Sequence, residues 1–126
     1  MSFNGYKPSQ NYQLKNSGTS SENERCVIRI SMCDDKKFQL HKLSTNELKD
    51  FMSYVKQVEN MTWSDIKTHS GLRYKVLNNI DYKIPDNVPN DISICSMRVN
   101  QKFRVLGYRE NIYFFVIWFD NNHKTC

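Results

Sequence analysis

His123 carries a ring that exchanges a proton near neutral pH, and it stands three residues after Asp120 in the run Asp120-Asn121-Asn122-His123-Lys124. Cleaving an RNA phosphodiester without a metal needs a base for the 2′-hydroxyl proton, an acid for the 5′-oxygen and cations on the phosphorane. Each well-placed proton-transfer group contributes about two to four powers of ten in rate. His123 is the candidate for proton transfer and Asp120 for orienting it. Arg98, Lys102, Arg104, Arg109 and Lys124 are the candidates for holding phosphate. If a strand runs through 102–108, alternation puts Lys102 and Arg104 on one face and Phe103 and Val105 on the other, which makes Lys102 and Arg104 the stronger pair.

Two other readings fit the same residues. Asp120 to His123 can be an Asx turn that only ends a strand, leaving the Tyr and Arg residues around it as a partner-binding surface. The excess of basic residues can also bind nucleic acid passively, with aromatic side chains stacking on bases.

The other polar groups offer less chemistry. His69 in Lys67-Thr68-His69-Ser70-Gly71 reads as a helix C-cap, where a protonated imidazole suits the dipole, and His41 reads as structural. The three histidines have no metal-ligand spacing. Cys26, Cys33, Cys95 and Cys126 form no Cys-x-x-Cys pair, and they read as reduced, structural thiols. There is no Gly-rich phosphate loop and no Ser or Cys nucleophile motif, so no cofactor or metal is expected.

The chain has 18 Lys or Arg against 13 Asp or Glu, a net charge of +5 and a pI near 9.0, which favours polyanionic partners. From Met97 onward the basic residues number five (Arg98, Lys102, Arg104, Arg109, Lys124) against two acidic ones (Glu110, Asp120). Mean hydropathy is −0.68. No run approaches the roughly 20 apolar residues that span a bilayer, and the N-terminus lacks the order of a signal peptide, so a cytoplasmic protein without a membrane partner is expected.

These groups need elements to hold them. Residues 1–24, rich in Ser, Asn, Gln and Gly, cannot bury enough apolar area to offset chain ordering and read as a disordered tail before a single domain over 25–126. Val27 to Met32 alternates, with Ile28, Ile30 and Met32 on one face, and Asp34-Asp35-Lys36-Lys37 turns it into a second strand, Phe38-Gln39-Leu40, to make a hairpin. Ser44 and Glu47 form a capping box with a Leu43 to Leu48 staple. They open a helix over 45–59 whose Leu48, Phe51, Met52, Val55 and Val58 face the sheet. Thr62 caps a second helix over 63–69, with a Met61 to Ile66 staple.

Leu72 to Leu77 is ambiguous between a short strand and a helical turn, and 78–91, with Pro85 and Pro89, is a long loop of the kind more often functional or mobile than neutral. Ile92 to Met97, Phe103 to Tyr108 and Tyr113 to Phe119 make a three-stranded meander. The apolar run Ile112 to Phe119 reads as a strand covered on both faces. The fold class is α+β, an antiparallel sheet with helices on one face.

This order, with a strand pair, two helices and a meander closing on a His-containing tail, resembles the RelE/ParE-type toxin superfamily over about residues 26–126. The local run Phe103-Arg104-Val105-Leu106-Gly107-Tyr108-Arg109 is similar to that family's arginine- and tyrosine-bearing strand pair. The resemblance implies a small toxin-like effector of a toxin–antitoxin or mobile-element system, either a ribosome-dependent endoribonuclease or a non-catalytic inhibitor. Its partners would be RNA or the ribosome and a cognate antitoxin or host protein. By the same resemblance Arg104 corresponds to the strand arginine, His123 to the titratable residue near the C-terminus, and Tyr108 and Tyr113 to aromatic residues near the site. The ending Trp118-Phe119-Asp120-Asn121-Asn122-His123 is also similar to uncharacterised short bacterial and mobile-element proteins ending W-x-D-P-N-H, with Asn121 where that pattern has proline.

Overall fold

The computed structural model describes residues 21–122. Its frame is one five-stranded sheet: β1 (Val27–Arg29), β2 (Lys75–Val76), β3 (Cys95–Arg98), β4 (Arg104–Glu110) and β5 (Tyr113–Asp120), in the order β1-β5-β4-β3-β2. Two helices, α1 (Thr45–Val58) and α2 (Trp63–Thr68), pack on one face. The class is α+β, but the sheet is mixed rather than antiparallel, because β1 runs parallel to β5 in the register Val27↔Tyr113 to Arg29↔Phe115.

The first hairpin is absent. After Arg29 a turn closes from Cys33 N–H to the Ile30 carbonyl. The chain then runs along the outer edge of β5, where Asp34 N–H donates to Ile117 O and Phe38 O accepts from Phe119 N–H. Phe38 takes φ 47, which an extended strand does not accommodate, and Leu40–Lys42 is a 3-10 turn. The Asp-Asp-Lys-Lys turn instead ties this crossing to the sheet: Asp34 accepts from Trp118 Nε1 at 2.8 Å and from Lys36 N–H at 2.8 Å. Ile30, expected on the buried face, is 49% exposed as a result.

The meander is present. Its β4–β5 turn places Asn111 at φ 60, a region open to Asn and required by tight hairpin turns. The turn is fixed from outside by Trp63, whose Nε1 donates to Ile112 O at 2.8 Å. Between Leu106 and Gly107 the register shifts, so that Leu106 faces Trp118 while Gly107 faces Val116 and Ile117 is the extra residue. A Cβ on Gly107 would lie 1.9 Å from the Phe115 carbonyl oxygen, which is why only glycine fits there.

Each sheet face has its own core. Cys26, Phe51, Tyr54, Val58, Trp63, Ile66, Phe103, Val105, Phe114 and Phe119 fill the helix side. On the other side Leu106, Tyr108, Ile117 and Trp118 are covered by Leu77, Ile80, Tyr82, Ile84, Val88 and Ile92. The long 78–91 loop is therefore the second layer of the domain, and β5 is buried on both faces because a loop does there what helices do opposite.

Both helix starts match their signatures. Glu47 N–H donates to Ser44 Oγ at 3.1 Å, Ser44 N–H to Glu47 Oε1 at 2.7 Å, and Asp65 N–H to Thr62 Oγ1 at 3.1 Å. The apolar stripe of α1 differs from expectation: Phe51, Tyr54 and Val58 are buried, whereas Leu48 and Met52 are 38% and 56% exposed. At about 100° per residue, Met52 lies a quarter-turn off the Phe51–Val58 line. Tyr54 takes the inner position because its hydroxyl finds Met97 Sδ at 3.3 Å.

Of the expected tail, residues 1–20 lie outside the described residues. Ser21–Asn23 forms a 3-10 turn and Arg25 pairs with Thr62, so residues 21–24 belong to the folded domain.

Candidate functional site

β3, β4 and β5 align Arg98, Arg104 and Asp120 in one row across the end of the sheet, Arg98 directly opposite Arg104 and Arg104 directly opposite Asp120. Such opposed residues hold their Cβ atoms about 4.5–5.5 Å apart. Arg104 is 8% exposed, and its Nη1 donates to the carbonyls of Asn100 (2.8 Å), Gln101 (3.3 Å) and Phe103 (3.3 Å). Arg98 Nε donates to Asn100 O at 3.3 Å. One turn, Val99 to Phe103, thus carries both arginines. That turn is shaped by Asn100, whose Oδ1 accepts from Lys102 N–H and Phe103 N–H at 2.9 Å each and whose Nδ2 donates to Asp50 at 2.7 Å.

Beside this row the edge strand adds two more cations. Lys75 pairs with Ser96, and Arg73, two residues earlier, is held at φ 49. Arg73, Lys75, Arg104, Ser70, Tyr74 and Ser96 line one cleft of about 400 Å³, with no carboxylate among its described lining residues. The cleft between the 33–37 and 83–87 segments differs, since Lys36, Lys37 and Lys83 there face Asp34, Asp35 and Asp86. Arg73, Lys75, Arg98 and Arg104 gather at this end of the sheet, Arg98 and Arg104 held by backbone carbonyls.

Of the catalytic candidates, Arg104 and Asp120 are brought together. Asp120 is fully buried, and its Oδ1 accepts from Asn122 N–H at 3.3 Å, the geometry of an Asx turn. Tyr108 lies four residues along β4 under the covering loop, 2% exposed and stacked on Phe115 at 4.9 Å. Burial pushes its phenol above the ordinary range. His123 and Lys124 lie outside the described residues.

Of the phosphate-clamp candidates, Arg98 joins the row and two others do not. Lys102 sits in the turn rather than in a strand, over a different cleft with Glu47 and Asn121, so the expected pairing of Lys102 with Arg104 on one strand face does not occur. Arg109 points to the helix face. It lies 4.2 Å over the Trp63 ring, its Nη1 is 2.7 Å from Glu22, its Nη2 donates to Ser21 at 2.9 Å and its Nε to Asn111 O at 2.8 Å. Arg109 fastens the 21–24 segment to the sheet. Lys67 and then Arg109 hold the Glu22 carboxyl below its usual range.

His69 is the C-cap of α2, as expected, by a different means. Its Nδ1 accepts from Gly71 N–H at 3.1 Å and Leu72 N–H at 3.2 Å, so the ring holds the chain just beyond the helix. Burial raises the thiols of Cys26 to about 12 and Cys33 to about 11, where they are inert as nucleophiles. Among the described residues no group of three His, Cys, Asp or Glu side chains is placed to hold a metal ion, and no helix is long and apolar enough to cross a membrane.

Arg73, Lys75 and Ser96 were missed as site residues in the sequence. The signal was the alternation in Leu72-Arg73-Tyr74-Lys75: read as a strand, it puts Arg73 and Lys75 on one face. Comparison with protein-family models, curated proteins and solved structures finds no match.

Proposed function

We propose that this chain is a nucleic-acid-binding protein that grips the phosphate backbone with the basic end of its sheet. The observation that carries the reading is the gathering of Arg73, Lys75 and Arg98 at one end of the sheet. Like charges placed directly opposite across a strand pair are unfavourable, yet Arg98 faces Arg104, and Arg73 and Lys75 line a cleft beside them. A polyanion relieves that repulsion and releases counterions on binding. The net charge of +5 draws it in. Binding is the whole of the activity in this reading, because Asp120 and Tyr108 are too buried to reach a substrate.

The test is a mobility-shift titration with single-stranded RNA and DNA of mixed sequence. The Arg73→Glu/Lys75→Glu variant is expected to abolish the shift while its melting temperature stays within a few degrees of wild type. An undiminished shift in that variant overturns the proposal.

A toxin-like endoribonuclease is the second reading. It is favoured by Asp120, a carboxylate opposite Arg104 that stands three residues before His123 in the sequence. Induced expression with total RNA examined for cleavage separates the two: cleavage that His123→Ala removes supports the enzyme, and intact RNA supports the binder.

A further inference from the structure

Aromatic rings gather at the end of the sheet opposite the basic one. Phe115 lies on Tyr108, with ring centroids 4.9 Å apart and planes 14° from parallel, and Tyr113 stands next to Phe115 at 6.1 Å. Arg29 of β1, whose register partner is Phe115, places its guanidinium 5.5 Å from the Tyr113 centroid and 5.9 Å from that of Phe115. Tyr108 is buried, Phe115 and Tyr113 are half-buried and Arg29 is exposed, so the stack rises from the core to solvent. Among the described residues Arg29 makes no ion pair, and the two rings are what holds it.

A planar cation and two rings at the surface present flat, polarisable faces, which an unpaired nucleobase matches and a phosphate does not. Register adds a second reason. Glu110 is exposed directly opposite Tyr113, and its carboxylate disfavours a phosphate at this place. We infer that Arg29, Tyr113 and Phe115 form a platform on which one unpaired base of a bound single strand stacks.

The inference rests on the nucleic-acid reading above and adds a contact with a base to its contacts with phosphate. Platform and basic end share one face of the sheet, since Arg104, Leu106 and Tyr108 alternate onto one side of β4, Phe115 lies opposite Tyr108 and Arg29 opposite Phe115. Tyr113 to Asp120 spans about 23 Å at roughly 3.3 Å per residue, so a strand of about a dozen nucleotides reaches both. Phe115, seated on the buried Tyr108, is ordered before the base arrives, which lowers the entropy lost on binding.

Tyr113→Leu removes a ring and no charge, and an abasic strand removes the bases and no phosphate. Binding of a fluorescein-labelled oligodeoxythymidylate of about a dozen nucleotides, and of an abasic strand of the same length, is measured by anisotropy at several salt concentrations for wild type, Tyr113→Leu and Lys75→Ala. Wild type is expected to bind the thymidylate roughly five- to tenfold more tightly than the abasic strand, the lower end of what one base stack contributes, with the same salt slope for both. Tyr113→Leu is expected to lose that preference and keep the slope. Lys75→Ala is expected to weaken both strands alike and to flatten the slope by about 0.7.

Equal affinity of the wild type for the two strands overturns the platform and leaves the basic surface standing. A preference for bases that survives Tyr113→Leu overturns it as well, because the bases then stack elsewhere. No binding of either strand at low salt overturns both this inference and the reading beneath it. If Tyr113→Leu lowers the melting temperature by more than a few degrees, Arg29→Lys, which keeps the charge and removes the planar group, takes its place: a reduced preference supports the platform and a full one contradicts it.

Discussion

Two arginines five residues apart on one strand show how a side chain's neighbours decide its use. Arg109 is bound by Glu22, Ser21, Asn111 and the Trp63 face, and its side chain is 14% exposed. Arg104 Nη1 donates to three carbonyls of its own turn, which fix the group at the end of the sheet opposite Asp120. Arg109→Ala is therefore expected to destabilise the fold by about 1–3 kcal/mol through lost hydrogen bonds to a charged group, with nucleic-acid binding intact. Chemical denaturation and the anisotropy assay, run on the same sample, check both halves of that statement.

Gly107 gives a second residue-scale prediction. Gly107→Ala meets the Phe115 carbonyl at 1.9 Å, backbone that cannot swing aside, and is expected to cost about 3 kcal/mol, read as a fall in denaturation midpoint.

A third concerns pH. The Cys26 thiol, raised by burial and then by Glu59, ionises near 12 in the folded chain against 9.0 for the ordinary thiol. Above pH 9.0 the unfolded chain gives up a proton that the folded chain keeps. The stability this burial contributes is present below pH 9.0 and is lost as pH rises toward 12, by about 1.4 kcal/mol per pH unit. Cys26→Ala is expected to remove that share of the slope in urea melts between about pH 9 and 11.

At the scale of elements, the capping box does more than start a helix. Glu47 accepts from Ser44 N–H and also from Asn121 Nδ2 at 3.0 and 3.2 Å, so the first turn of α1 holds the residue that follows β5. Those two contacts hold its carboxyl below the usual range, the Ser44 N–H first. The sheet edge is guarded in a similar way. Glu59, the C-cap of α1, reaches over β1, where its carboxylate accepts from Ile28 N–H at 3.0 Å. An edge N–H so occupied cannot pair with another chain. Glu59→Ala is expected to lower stability by about 1–2 kcal/mol and to speed amide exchange at Ile28, with Glu59→Gln retaining most of the protection.

Local signals of this kind were legible in the residues. The Ser44/Glu47 capping box, the Thr62 cap and the turn between the last two strands each need only a few neighbours, and each is where the spacing placed it. What was not legible depended on distant partners. Val27–Arg29 alternates like a hairpin strand, but its mate is β5, some 85 residues on, and nothing local to Phe38 announces its positive φ. Leu48 and Met52 carry the same hydropathy as Phe51, and only the packed sheet tells which arc of α1 is inside. The site followed the same rule. The arginines of the meander could be listed from the chain, whereas the joining of Arg73 and Lys75 to them required the pairing of β2 with β3.

For the whole molecule, the design is a sheet sealed on both faces, by helices on one and by the 78–91 loop on the other. Sealing leaves function to the rims. The hairpin rim is tied down by Trp63 and Arg109, and the opposite rim gathers Arg73, Lys75, Arg98 and Arg104. On the proposed reading, affinity for a polynucleotide is expected to fall with salt, and changes at buried positions such as Tyr108 are expected to leave that dependence unchanged. The most direct measurement is the affinity for a single-stranded oligoribonucleotide of about a dozen nucleotides as potassium chloride is raised, for wild type and for Arg73→Ala/Lys75→Ala. Three or four phosphates neutralised predict a log–log slope near −2 to −3, and the double variant is expected to reduce its magnitude by about 1.4. Absence of binding at about 50 mM salt, or a slope the double variant leaves untouched, would contradict the assignment of this rim to the phosphate backbone.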